Sequence, residues 1–407
     1  MFRLLGWLAA AVAAIFVAVS SYVVANQVRS PLAAHGVGFP PGATAAANAA
    51  FASLAMRRQQ DANAAVSRTE YAMAYDAYQS EPLASSAIGL IIASKTGKAD
   101  AGLRESLLRS AGKLTRRSSL IASESINAAG LRGDDKTFFL WLSRAMLTNT
   151  KLRSAYVGAM AEATARNGSV AALTPVLGTD PDWSQYYWRA VLSRPNSLAN
   201  AAKLRTAIAA APWGKRDVRT TDRRLAEALA RTGQFDAAHQ LGVGLGQAQP
   251  LASARANLLN NGDFARQPVL PPIDWQLATS GSLGASISPQ DDRLAISAIA
   301  GANGYVARQI VQLVPGNYNV GWELTSNADM RGSEATIRLT CAERGQAGQN
   351  AQSIALEEGR KAGTFSIAPS PCRWYWFSVN VSVADDASGF DASLLAISLT
   401  RSAGNGA

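Results

Sequence analysis

A chain of 407 residues is long enough for two folded domains of ordinary size, and its 48 % hydrophobic and 17 % charged residues exclude a disordered protein. Two histidines and two cysteines are too few for the usual zinc patterns. The formal net charge of +10 belongs to residues 57–250, because residues 251–407 hold 11 Lys and Arg against 13 Asp and Glu.

The basic middle of the chain indicates an anionic neighbour, such as lipid headgroups, an acidic polysaccharide or an acidic protein. A solvated charged face without a partner explains the same composition equally well. The sequence contains no basic-aromatic motif of a nucleic-acid-binding module, so we expect no nucleic-acid partner.

The chain begins with an apolar run over residues 4–25. About 20 apolar residues span a bilayer as a helix, whereas the apolar core of a secretory signal has roughly 7–15. We therefore predict that residues 1–30 form a signal anchor, a single transmembrane helix in a bacterial inner membrane, with the bulk of the chain in the periplasm. Cleavage after Ala25, which would release a secreted protein, stays open. Residues 31–47 are rich in proline and glycine and are predicted to be a linker.

Residues 48–250 read as short helices separated by glycines and prolines. The segment 161–168 recurs at 226–233, 65 residues later, which is close to two units of about 34 residues. Small residues, a turn glycine and then Phe235 resemble the tetratricopeptide repeat. That resemblance implies a helical-repeat surface for a protein partner. The alternative is an irregular helical bundle in which the one repeated segment arises by chance.

Residues 251–407 change to a period of two, with short strands separated by turn residues. In the clearest strand, 374–383, the odd-numbered residues are apolar and are predicted to face the core. Trp374, Trp376 and Asn380 then face outward. A tryptophan on a polar sheet face suits stacking on a sugar ring, so these three residues are the predicted glycan-binding residues. The alternative is that a loop or the helical domain covers both tryptophans.

The same domain resembles the jelly-roll carbohydrate-binding modules, on motifs at 261–264, Trp275, 309–318 and 390–394. The resemblance implies a β-sandwich in which these motifs make turns and core contacts. It also implies a structural calcium ion, with Asp263 and Asp391 as candidate ligands. Ala265 stands where an acidic residue commonly follows the first motif, and two carboxylates are fewer than a calcium ion requires. We otherwise expect no cofactor.

Both cysteines, Cys341 and Cys372, fall in the predicted sandwich and in a predicted oxidising compartment, which favours a disulfide between them. The alternation of faces raises a difficulty. Cys341 shares its side of the sheet with the inward residues, whereas Cys372 shares parity with the outward Trp374. A bulge or loop near Pro371 would remove the conflict.

The predicted fold class is multidomain α plus β. It comprises an N-terminal transmembrane helix, an α-helical tetratricopeptide-like repeat domain over 48–250, and an antiparallel jelly-roll β-sandwich over 251–407. No catalytic constellation is evident, because His35 and His239 lie in a linker and a repeat helix. We expect a non-catalytic periplasmic protein that binds polysaccharide through the sandwich and an envelope protein through the repeats, in cell-surface polysaccharide synthesis or export. The alternative is an envelope assembly scaffold without sugar binding.

Overall fold

The computed structural model describes residues 2–38, 42–61, 63–250, 257–326, 332–343 and 351–402. Within these ranges the chain is helical up to residue 250 and consists of strands afterwards. It divides into two compact units, Met1–Met160 and Ala161–Ala407. This division differs from the predicted boundary after residue 250, because the later helices belong to the same unit as the strands.

The first helix, α1, runs Phe2–Asn26. Its Gly6–Asn26 segment has a mean hydropathy of 2.3 and is long and apolar enough to cross a membrane. A signal sequence near the N-terminus can also be long and apolar enough to meet this criterion. The structure thus contains the helix on which the anchor prediction rests, whereas the periplasmic location stays a prediction.

Part of the segment predicted as a linker is helical. Helix α2 spans Pro31–Gly36, and α3 begins at Ala43 and continues to Gln60. Pro31 occupies the first turn of α2, where its fixed φ favours a helix and its missing N–H is not needed. The proline read as a linker signal therefore starts a helix. Pro40 and Pro41 lie outside the described residues.

Five more α-helices of the first unit lie between residues 63 and 150. Two buried carboxylates connect them. Glu70 forms an ion pair with Arg57 at 2.5 Å, and Glu124 forms ion pairs with Arg58 and Arg104 at 3.4 and 2.5 Å. Each carboxylate thus has the partners that a buried charge requires. The helices are α4 (Arg68–Ser80), α5 (Ser85–Ala93), α6 (Ala101–Leu114), α7 (Ser119–Arg132) and α8 (Asp135–Thr148).

The second unit begins with helical hairpins. Both copies of the sequence repeat cover a helix end and the following turn, and Gly233 ends the second copy at φ +79°. Asn200 donates to the carbonyl of Thr164 at 2.9 Å, and Gln234 donates to the carbonyl of Pro195 at 3.1 Å. These bonds join one hairpin to the next, as in helical repeats, whereas the tetratricopeptide assignment stays a prediction. Helix α9 (Arg153–Ala163) begins in the first unit and ends in the second. The helices that follow are α10 (Ser169–Leu177), α11 (Ser184–Val191), α12 (Leu198–Ala210), α13 (Thr220–Arg231) and α14 (Phe235–Gly244).

In the described part of the chain, ten strands form two antiparallel five-stranded sheets. Sheet A has the order β1-β4-β9-β6-β7 and sheet B the order β2-β3-β10-β5-β8. From β3 onward, each pair of successive strands (β3 and β4, β5 and β6, β7 and β8, β9 and β10) places one strand in each sheet. The resulting strand order is that of a jelly roll. The strands are β1 (Gln276–Leu277), β2 (Leu283–Ser288), β3 (Arg293–Ala298), β4 (Asn303–Gln312), β5 (Gly316–Ser326), β6 (Ser333–Cys341), β7 (Gln352–Ala355), β8 (Gly359–Ile367), β9 (Trp374–Val383) and β10 (Phe390–Arg401).

One apolar core fills the space between the two sheets. The odd-numbered residues of β9 are buried in it, so the predicted alternation is confirmed. Residues of the motifs on which the jelly-roll resemblance rests are buried there too, including Phe264, Trp275, Tyr318 and Phe390. These motifs therefore serve the fold, as expected.

A disulfide joins Cys341 and Cys372, whose Cα atoms are 6.1 Å apart. The pairing predicted from the sequence is present. Cys341 is the last residue of β6, whereas Cys372 precedes β9, which begins at Trp374. Because Cys372 lies outside the strand, its side chain does not have to share the outward direction of Trp374, and it can reach the inward-facing Cys341.

Candidate functional site

The outer face of sheet A carries a row of polar side chains that crosses all five strands. Arg308 on β4 and Arg338 on β6 are both in register with Ser378 on β9, which lies between them. Gln276 extends the row onto β1, and Ser353 extends it onto β7. We call these five residues the polar row. Its two arginines are separated by two strand spacings, or about 10 Å.

Arg308 is held between two aromatic rings. Its guanidinium carbon lies 4.0 Å from the centroid of Tyr305 and 4.4 Å from that of Trp376, and its Nε donates to Gln276 at 2.9 Å. Partial burial lowers the pKa of Arg308, but not enough to remove its charge. The two rings and the guanidinium make an ordered stack on an otherwise polar sheet face.

Beside the polar row the face carries further hydrogen-bonding groups and, outside the row, the exposed carboxylate of Glu334 on β6. Asn380 lies between Tyr305 and Thr336 in register, and its Nδ2 donates to the hydroxyl of Ser378 at 2.8 Å. Arg338 is exposed and forms no ion pair with any described residue. The face thus combines aromatic surface, amide and hydroxyl groups, and two guanidinium groups without a carboxylate in the row.

The structure corrects the expectation that Trp374 lies on the open part of this face. Trp374 is 2 % exposed and lies beneath α14. Its ring contacts Phe235 and His239, with centroid separations of 6.1 and 5.6 Å, and its Nε1 donates to Asp236 at 3.2 Å. The alternation correctly placed this residue on the outer face. It could not show that a helix more than a hundred residues earlier covers that end of the strand.

Trp376 lies at the border between the covered and open parts of the face. Phe235 approaches its ring at 6.5 Å in an edge-on contact, and Arg308 lies over its face. Trp376 and Asn380 are both half-buried. Of the three predicted glycan-binding residues, these two stay on the part of the face that α14 leaves open. Sequence reasoning missed Tyr305 and Arg308, which only the strand register brings to Asn380 and Trp376.

The two predicted metal ligands are exposed and lie on different elements. Asp263 is in the turn before Phe264, whereas Asp391 is on β10 in sheet B. Among the described residues, neither belongs to a cluster of three or more ligand groups. The one such cluster there contains Cys341 and Cys372, whose sulfurs are joined in the disulfide. Two carboxylates offer fewer oxygens than a calcium ion takes, so they do not make a calcium site by themselves.

His239 gives the contact between α14 and sheet A a pH dependence. Burial lowers the pKa of His239, against the opposing influence of Asp236 and the Gln249 backbone. The stability that the neutral ring contributes is present above the unfolded value of about 6.5, and is lost as the pH falls through the folded value. We therefore expect the urea midpoint, followed by tryptophan fluorescence, to fall between pH 7 and pH 5.

A substitution that removes the titrating ring should reduce this pH dependence. In the variant His239→Gln we expect the midpoint to change less over the same range than in the wild type. The matched control is His35→Gln, because His35 is exposed and is the other histidine of the chain. Equal pH dependence in the wild type and the His239→Gln variant would contradict the prediction.

No known protein family and no curated protein matches this chain. A family 61 carbohydrate-binding module bound to β-1,4-galactotriose is 16 % identical, with a TM-score of 0.26, over 36 % of this chain and 99 % of that one. A family 4 carbohydrate-binding module is 14 % identical, with a TM-score of 0.27, over 35 % of this chain and 99 % of that one.

An arabinose-bound α-L-arabinofuranosidase is 18 % identical, with a TM-score of 0.27, over 37 % of this chain and 27 % of that one. Each of these likenesses covers little more than a third of the present chain. At these identities and TM-scores they carry no inference about what the chain binds.

Proposed function

We propose that the open part of the outer face of sheet A binds a glycan. The observation that supports this is the stack of Tyr305, Arg308 and Trp376 beside Asn380. Aromatic rings offer apolar surface to the faces of sugar rings, and the neighbouring amide and guanidinium groups can bond to hydroxyl and carboxylate oxygens. The rigid strands hold these groups in a fixed geometry before any ligand arrives.

The polar row favours an acidic glycan. Arg308 and Arg338 bring two positive charges to the row, and the row holds no carboxylate to balance them. A guanidinium group matches the geometry of a carboxylate and forms charge-assisted hydrogen bonds with it. A polysaccharide that contains uronic acids fits this pattern better than a neutral one.

Titration of the full chain in neutral detergent with acidic and neutral polysaccharides tests this proposal, with tryptophan fluorescence as the signal. We expect the acidic polysaccharides to bind more tightly. Arg338→Gln should weaken that binding about tenfold or more, since a hydrogen bond to a charged group contributes about 1.5–3 kcal/mol. Binding of neutral polysaccharides should change little.

Arg360→Gln is the matched control, because Arg360 is an exposed arginine on sheet B. This variant should bind as the wild type does. The proposal fails if no polysaccharide gives a saturable signal, or if both variants lose affinity to the same extent.

The helices supply the rest of the proposal. The apolar α1 would anchor the protein in the inner membrane with its bulk in the periplasm, and the hairpins of the second unit would bind an envelope protein. We place the chain in cell-surface polysaccharide synthesis or export, without catalytic activity of its own. Fractionation of cells that express the tagged chain tests the location, and a soluble periplasmic product shortened by the first 25 residues would contradict the anchor.

One observation favours the second candidate function, an assembly scaffold without sugar binding. Trp374, an outward aromatic residue of β9, packs against α14 and is not available to a ligand. On this account the outer face of sheet A serves contacts between proteins. Capture of a protein partner that Arg338→Gln weakens, together with the absence of polysaccharide binding, would support the scaffold.

A further inference from the structure

A basic groove lies in the first unit, between α6, α7 and α8. It encloses a cavity of about 460 Å³. Five cationic side chains line it, against two carboxylates. The cationic residues are Arg109, Lys113, Arg116, Arg132 and Arg144.

Both carboxylates of the groove already have partners. Glu105 forms an ion pair with Arg109 at 3.0 Å. Asp134 caps α8 by accepting a hydrogen bond from the Thr137 backbone at 3.1 Å. Hydrogen bonds from the side chain and the backbone of Thr137 lower the pKa of Asp134. The carboxylates of the groove therefore neutralise at most Arg109 and Arg132 among its five cations.

Three cations of the groove are without an acidic partner among the described residues: Lys113, Arg116 and Arg144. Arg144 is half-buried and lies over the ring of Trp141, with its guanidinium carbon 4.8 Å from the centroid. Burial and the neighbouring charge of Arg116 together lower the pKa of Arg144. Like charges gathered at a partly buried site favour a bound anion.

A buried hydroxyl group in the wall of the cavity points to the same conclusion. Ser125 on α7 is 5 % exposed, and its Oγ has no hydrogen-bond partner among the described residues. A buried polar atom without a partner is unfavourable, and such atoms are rare in folded proteins. An anion in the cavity would accept the hydrogen bond that this hydroxyl lacks.

The packing of Trp141 shapes this end of the groove. A Cβ atom on Gly112 would lie 2.8 Å from Cζ2 of Trp141, so the glycine on α6 makes room for the indole. The guanidinium of Arg144 in turn packs against the face of this indole. The cation is thus positioned by a rigid apolar group and not by an acidic one.

We propose that this groove binds a phosphate group through Arg116, Arg144, Lys113 and the hydroxyl of Ser125. A phosphate carries up to two negative charges and three acceptor oxygens, which matches several converging cations and a hydroxyl better than a single carboxylate does. The phosphate could belong to a lipid headgroup or to a soluble phosphoester. The proposal is independent of the glycan-binding face, which lies in the other unit and shares no residue with the groove.

Isothermal titration of the full chain in neutral detergent with pyrophosphate tests the groove. Binding should be saturable at constant ionic strength. The double variant Arg116→Gln/Arg144→Gln should lose about tenfold or more in affinity, since both lost contacts are charge-assisted. Ser125→Ala should lose affinity to a smaller extent. This variant provides the test if the double variant does not fold.

Arg117→Gln is the matched control, because Arg117 is exposed and follows Arg116 directly but does not line the cavity. Absence of saturable binding, or equal losses in the control and in the double variant, would overturn the proposal. So would unchanged affinity in both the Ser125→Ala and the double variant.

A competition experiment distinguishes the two sources of phosphate. Micelles that contain phosphatidic acid should displace pyrophosphate if the groove takes a lipid headgroup, whereas phosphatidylcholine micelles should not. If neither lipid displaces pyrophosphate from the wild type, the groove takes a soluble phosphoester. If the headgroup binds in the groove, phosphatidic acid should displace pyrophosphate less effectively from Ser125→Ala than from the wild type. Equal displacement in both proteins would place the lipid elsewhere on the chain and contradict the headgroup assignment.

Discussion

Replacing Trp374 with alanine should lower the free energy of unfolding of the second unit by about 3–5 kcal/mol, as expected for a large aromatic side chain removed from a packed site. The ring is 2 % exposed and contacts Phe235 and His239 on α14. Its loss would leave a cavity between the helix and sheet A. The hydrogen bond to Asp236 would also be lost, but Asp236 is exposed and this contribution is small.

Urea unfolding of the full chain in detergent measures the total effect, and hydrogen exchange read by mass spectrometry locates it. Exchange should become faster in α14 and at the start of β9, and change little at the far end of sheet B. The matched control is Trp213→Ala, because Trp213 is 63 % exposed. If Trp374→Ala lost glycan affinity without loss of stability, Trp374 would be a ligand contact and our reading of its burial would be wrong.

The alternation of apolar residues was enough to predict an antiparallel sandwich. It identified the inward face of β9, because a strand buried on one side has a strict period of two. The core role of Trp275 was implied by the resemblance to jelly-roll modules and not by the alternation. The disulfide followed from the shared domain of the two cysteines. These features depend on residues close together in sequence or on a simple rule about faces.

Features that depend on long-range packing could not be predicted in the same way. No local pattern shows that α14 covers Trp374, or that strand register stacks Arg308 between Tyr305 and Trp376. A proline can end one element or begin another, and at Pro31 the second reading was needed. These outcomes are set by which elements pack together.

The basic groove lies between these cases. Arg109 and Lys113 have the i, i+4 spacing of one helix face, which was visible in the sequence, whereas Arg116 follows the end of α6 at Leu114. The contribution of Arg144 and the unpartnered hydroxyl of Ser125 comes from other helices and required the structure. A charged helix face is usually solvated, so the spacing alone would not have identified a binding site.

The second large effect concerns a buried ion pair that holds the loop between α12 and α13. Arg205 and Asp222 are 2 % and 1 % exposed, and Nε of the guanidinium donates to both carboxylate oxygens, at 3.0 and 3.1 Å. The other guanidinium nitrogens donate to the carbonyls of Lys215 and Asp217 at 3.1 and 2.9 Å. Arg205 therefore satisfies the carboxylate and the loop backbone at once.

Arg205→Met should destabilise the second unit by about 3–5 kcal/mol, because it leaves the carboxylate of Asp222 buried without its partner. Arg205→Lys should lose most of the same stability, since one ammonium group cannot replace donors that point in three directions. The control is Arg224→Met, which removes an exposed arginine of α13. Urea unfolding of the full chain measures all three variants.

Removing both charges separates the ion pair from the loop contacts. Arg205→Met/Asp222→Leu has no uncompensated buried charge, so we expect it to recover part of the loss seen in Arg205→Met. Recovery should be incomplete, because the Lys215 and Asp217 carbonyls and the Arg219 N–H still lack their partners. Full recovery would show that the loop contacts contribute little, whereas no recovery would show that the buried charge is not the main cause. Because α13 leads directly into α14, a loosened loop should also speed exchange at the start of β9, which connects this ion pair to the covered end of sheet A.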